Sequence, residues 1–232
     1  MQQDERRPVW SYEDLGILLG AVLPCLVLAA VGTKLLSFVV PQKGVLTAFS
    51  QVLIYGGVSA SLYMILKARY GIEFWSAMDW RVPWRRMALT VFLGPALALA
   101  MGFLSLALRT PNEPTALDEL LKDRWSIIAI GIAATTIGPV FEELIFRGFA
   151  QPLFIRSLGL VGGLVVTAIP FALLHGPQNN WNWQRLLILM LAGLVFGLVR
   201  HMTGSTAASS LTHAAYNLTF MAALIIKELS RT

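Results

Sequence analysis

Seven apolar runs, separated by short polar connections, constrain this chain more than any other feature. They cover residues 15–40, 48–66, 87–108, 125–141, 158–175, 186–199 and 209–226. A bilayer's hydrocarbon core is roughly 30 Å thick, so a helix rising 1.5 Å per residue needs about 20 mostly apolar residues to cross it. Lipid offers backbone N–H and C=O groups no partner, so such runs must satisfy them internally, as helices. The expected fold is all-α: a polytopic transmembrane bundle of about seven or eight helices around a buried polar cavity. No repeat or soluble module interrupts it, and residues 1–232 read as a single integral membrane domain.

Composition matters here at two points. Only 13% of the residues are charged, against about a quarter in a soluble domain. The formal net charge is +5, and in a soluble protein that would point to nucleic acid. Here the Lys and Arg lie mostly between apolar runs, where anionic lipid is the better partner. Nucleic acid is therefore not expected as a partner, and the expected location is the cell inner or plasma membrane.

The connections carry local signals. The polar start, residues 1–13, lacks the pattern of a cleavable leader, so the first span is expected to stay in the protein. Trp10 and Tyr12 are placed like interface anchors. Residues 67–86 interleave Trp75, Trp80 and Trp84 with Arg81, Arg85 and Arg86, which suits a segment in the headgroup region. A short helix is expected over residues 115–121. His201, beside Arg200 at the end of a run, reads as interfacial. The lone cysteine, Cys25, excludes an intrachain disulfide and reads as a small buried or lipid-facing hydrophobe.

Against this background one stretch stands out. Glu142-Glu143-Leu144-Ile145-Phe146-Arg147 places three ionisable groups at the end of an apolar run. At the centre of a bilayer each costs roughly 2.5 to 3.5 kcal/mol. On a helix Glu143 and Arg147 stand at i,i+4 and can pair. Glu142 is turned about 100° away and is left to face something else.

Two further pairs share the problem of depth. Phe171 and His175 stand at i,i+4, as do His213 and Asn217. Pro139 and Pro170 lie just before Glu142 and His175, where each can kink a helix and free a carbonyl. If the fourth helix runs on to about Ile155, Glu142 and His175 lie roughly 20 and 24 Å from the turn that follows, at nearly one level. A carboxylate beside a histidine can hold and deprotonate a water. A second histidine and an amide can donate to a developing oxyanion. These parts suit a hydrolase of a peptide or ester bond. Two histidines and a glutamate are also a common zinc set, so a zinc-dependent protease is the chemical rival. Neither a GxSxG elbow nor HExxH is present.

Taken in order, these three motifs resemble the CAAX protease and bacteriocin-processing family, also called the Abi family of intramembrane proteases. Its pattern is EExxxR, then FxxxH, then HxxxN, on successive helices; the likeness covers about residues 125–220. The resemblance implies a glutamate-type endopeptidase of the CAAX prenyl protease kind. By it Glu142 and His175 would activate the water and His213 and Asn217 would form the oxyanion hole. Glu143 and Arg147, with Phe171, would support them. It implies no metal ligand and no cofactor, and as partners membrane lipid and a peptide or protein, including one with a lipid-modified C-terminus. The rivals from other classes are a non-catalytic membrane immunity or scaffold protein and a small transporter with a buried proton relay. The absence of paired half-sequences counts against the transporter.

Overall fold

In the computed structural model, which describes residues 8–82 and 84–229, no strand occurs among those residues. The polar start over residues 1–7 lies outside them. Ser11 opens α1 (Tyr12–Leu36) with a capping box in which its hydroxyl accepts from the Glu13 N–H and its own N–H donates to Asp14. α2 (Lys43–Ile65) runs on into a π-helical turn, Leu66–Tyr70. Cys25 packs where α1 meets α2: a Cβ on Gly57 would come within 2.7 Å of its sulfur. The short α3 (Phe74–Ala77) and α4 (Met87–Ala107) follow. α5 (Ala116–Leu120) falls inside the expected 115–121, and Thr115 caps it.

The chain then enters its most irregular part. α6 (Arg124–Ile132) passes through a π turn, Ala133–Ile137, into α7 (Gly138–Glu143). A second π turn, Leu144–Ala150, leads to α8 (Gln151–Leu174). Gly159, at φ 73° and ψ 176°, breaks α8; only glycine holds that backbone region without strain. The chain doubles back there. Ile155 lies against Gly163 and Arg147 against Phe171, each pair symmetric about Gly159. Residues 124–158 and 160–174 thus form a helical hairpin, with its apex a few residues beyond the expected turn near Ile155. α9 (Trp183–Thr203) and α10 (Thr206–Leu229) complete the bundle.

Five helices among the described residues are long and apolar enough to cross a membrane, and Gly159 divides one of these, Arg124–Leu174. Leucines, valines and phenylalanines such as Leu23, Leu28, Phe92, Phe103 and Leu106 are exposed on their outer faces. In water such a surface would aggregate; in a bilayer it meets lipid. The interior combines hydrophobic clusters with small and polar groups along α10. Ser205, just before α10, and Thr206, Ser209, Ser210, Thr212 and His213 within it are all buried. A Cβ on Gly94 of α4 would sit 2.5 Å from Ala215 and 2.7 Å from the Thr212 carbonyl, so these two helices touch backbone to backbone.

Trp10 departs from the expected anchor role. It is buried, stacks on Phe149 at 5.4 Å, and donates its indole N–H to the Phe149 carbonyl at 3.0 Å. An indole with an internal acceptor loses its reason to sit in the headgroup region. Tyr12, by contrast, is exposed.

Candidate active site

Two π turns flank the two glutamates. Each widens the helix by one residue and redirects the side chains that follow. The first turn prepares an orphan carbonyl. Gly138 N–H bonds back five residues to Ala133 O. In the same register Ala134 O would take the N–H of residue 139, but Pro139 has none. Asn217, reaching across from α10, donates its amide to Ala134 O at 2.7 Å. The freed carbonyl expected from Pro139 is therefore present, and Asn217 satisfies it.

The two adjacent carboxylates have unlike surroundings. Glu143 is wholly buried. Its Oε1 accepts from Arg147 Nη1 at 2.9 Å and from His213 Nδ1 at 3.0 Å, and Ser209 Oγ lies 2.5 Å from Oε2. Arg147, equally buried, sends Nη2 to the Gly193 carbonyl at 2.8 Å and lies over the Phe171 ring at 4.4 Å. Gly193 has to be small: a Cβ there would stand 3.0 Å from Phe171 and 3.2 Å from Arg147. The expected i,i+4 pair thus forms, with a bare carbonyl and an aromatic face completing the cage around the guanidinium.

Glu142 points elsewhere and stays 12% exposed. Tyr55, from α2, donates its hydroxyl to Glu142 Oε1 at 2.5 Å. Glu142 Oε2 stands 3.9 Å from His213 Nε2, beyond direct hydrogen bonding. His213 is therefore held between the two carboxylates, with its ring stacked on Phe196 at 4.4 Å. Because Glu143 takes the Nδ1 proton, Nε2 is the nitrogen turned toward Glu142.

His175 sits apart. It caps the C-terminus of α8, half-buried, and its Nδ1 lies 2.8 Å from the Phe171 carbonyl. A carbonyl only accepts, so in the neutral ring the proton is on Nδ1 and Nε2 carries the lone pair. Among the described residues no hydrogen bond or ion pair joins His175 to either glutamate. Both imidazoles flank Phe171, at 4.9 Å for His175 and 5.7 Å for His213. The residues that lie against Glu142 are Tyr55 and His213.

Tyr55 and Ser209 were not foreseen. Ser209 had a faint signal, one helical turn before His213 on the same face. Tyr55 had none, since an aromatic in an apolar run is ordinary. Among the described residues no three His, Cys, Asp or Glu side chains converge with ligand spacing. Glu143 already accepts from three donors, and the His213 nitrogen facing it is a donor.

Residues 124–219 match the family described as type II CAAX prenyl endopeptidase Rce1-like. This part of the chain is similar to the CAAX protease family. Comparison with curated proteins and with solved structures gives no match. The CAAX protease segment begins with α6 and ends within α10, so it contains both glutamates, both candidate histidines and Asn217, while Tyr55 lies outside it. The apolar helices make the protein an integral membrane protein, and the likeness supports a peptidase of CAAX protease type.

Proposed function

We propose that this protein is a glutamate-type intramembrane endopeptidase in which Glu142 removes the proton from an attacking water. The observation that carries this is the asymmetry of the glutamate pair. Glu143 accepts from three donors and has no access to solvent. Glu142 is 12% exposed, and its Oε2 stands 3.9 Å from His213 Nε2, beyond hydrogen bonding. A base must reach the proton it removes, and only Glu142 can.

The remaining roles follow from the available atoms. His175, with Nδ1 committed to Phe171, offers Nε2 as a second acceptor to orient the water. The water oxygen attacks the carbonyl carbon, and its proton passes to Glu142. As the C–N bond breaks, Glu142 returns that proton to the leaving amine. The oxyanion formed in between needs donors. Asn217 has a second amide hydrogen beyond the one given to Ala134, and protonated His213 has Nε2–H. The Glu143–Arg147 pair fixes the tilt of His213 and takes no part in the bond changes. No step requires a metal ion. A lipid-modified C-terminal peptide is the substrate class that the family name supports.

The test is Glu142→Gln beside Glu143→Gln, each purified into lipid nanodiscs and offered a prenylated C-terminal reporter peptide. Glu142→Gln is expected to lose turnover while melting like the wild type. Wild-type turnover in that variant would remove Glu142 from the reaction.

A further inference from the structure

The 3.9 Å between Glu142 Oε2 and His213 Nε2 calls for a cause. A carboxylate and an imidazole this close ordinarily close to a charge-assisted hydrogen bond of about 2.7 to 2.9 Å. Here both partners are held back. His213 is fixed on one side by Glu143, at 3.0 Å from Nδ1, and by the face of Phe196 at 4.4 Å. Among the described residues, Glu142 is held on the other side by Tyr55, through Oε1 at 2.5 Å.

Tyr55 is well placed to act as an anchor. Its ring stacks on Phe141, the residue before Glu142, at 6.0 Å and 22°. The helix that carries it is itself pinned at two points. Gly44 N–H donates to Ser126 Oγ at 3.2 Å, and a Cβ on Gly44 would fall 2.4 Å from Ser126. Further along, Gly57 lies against Cys25. A rigid helix and a short side chain with two rotatable bonds make the hydroxyl a fixed point. Tyr55 lies outside the segment that matches the protease family, so the first half of the chain contributes to the site.

We propose that Tyr55 is a positioning residue of this peptidase: its hydroxyl holds the Glu142 carboxylate away from His213, so that Oε2 stays free to accept a proton from water. This rests on the reading of Glu142 as the base. Without the hydroxyl, Glu142 is free to swing onto His213 Nε2. The collapsed pair would occupy the Oε2 lone pair that takes the water proton and the Nε2–H proposed for the oxyanion. A displacement of about 1 Å at a reacting group can lower a rate by a factor of about 100.

The experiment is Tyr55→Phe in the full chain in lipid nanodiscs, which keeps the ring and its stacking and removes one oxygen. Cleavage of the prenylated reporter peptide, thermal unfolding and the infrared spectrum are read on the same samples. The expected result is kcat lower by about 100-fold, KM within about twofold of wild type, and unchanged unfolding. In difference spectra taken against Glu142→Gln, the band of the Glu142 carboxylate shifts on removal of the hydroxyl. On the Glu142→Gln background, Tyr55→Phe has no further effect on residual turnover. Four outcomes would overturn the proposal: wild-type kcat in Tyr55→Phe, an effect on KM alone, the same loss on both backgrounds, or a variant that unfolds, which would make the hydroxyl a structural tie. If Glu142→Gln is inactive and Tyr55→Phe is not impaired, only the role of Tyr55 falls. If Glu142→Gln remains active, the reading of the base falls first.

Discussion

Replacing Arg147 by Met removes three interactions at once and keeps most of the side-chain volume. Arg147 gives Nη1 to Glu143 at 2.9 Å and Nη2 to the Gly193 carbonyl at 2.8 Å, and it covers the Phe171 ring at 4.4 Å, all without solvent. Breaking a buried ion pair from one side typically costs about 3 to 5 kcal/mol, because the other charge is stranded. A buried carbonyl that loses its donor adds about 1 to 3 kcal/mol. Two features pull the total down. Glu143 keeps His213 and Ser209 as partners, and Met still packs against the aromatic rings. The expected loss is about 4 kcal/mol. For a protein of this size each kcal/mol moves Tm by roughly 2 to 4 °C, so thermal unfolding followed by circular dichroism should show a fall on the order of 10 °C. Turnover should fall as well, since Glu143 then positions His213 less firmly. The double variant Glu143→Gln with Arg147→Met removes the stranded charge and should regain a good part of the Tm. A single variant melting within 2 °C of wild type (roughly 1 kcal/mol), or a double variant no better than the single, would refute the idea that the two residues stabilise each other.

Two further outcomes are expected. Asn217→Ala removes the donor from Ala134 O and a donor from the proposed oxyanion site, so both stability, by about 1 to 3 kcal/mol, and kcat, by about 100-fold or more, should drop while KM moves little; Asn217→Asp should be worse, because a carboxylate would face a carbonyl, and a loss of stability with kcat per folded molecule unchanged would make Asn217 purely structural. Chelation of divalent ions should leave peptide cleavage intact, and elemental analysis giving one zinc per chain, lost together with activity, would reverse the metal-free assignment.

Much of this protein was legible in one dimension because a bilayer imposes simple demands. A run of apolar residues must become a helix, since nothing else satisfies its backbone in lipid; hence residues 15–40 or 186–199 announced α1 and α9 from their composition. Contacts along one helix were legible too. Glu143 and Arg147 meet because 3.6 residues per turn bring i and i+4 together, and Pro139 frees a carbonyl because it has no N–H. What sequence could not decide was which helices adjoin and how each is rotated about its axis. That depends on where small residues let backbones close up: Gly94 against α10, Gly57 against Cys25, Gly193 against Arg147. The two π turns add rotations that no apolar pattern records. Those contacts bring Tyr55 to Glu142, hand Asn217 the orphan carbonyl of Ala134, and draw Trp10 inside onto Phe149. Each joins residues far apart in the chain, and only the packed bundle determines whether such residues meet.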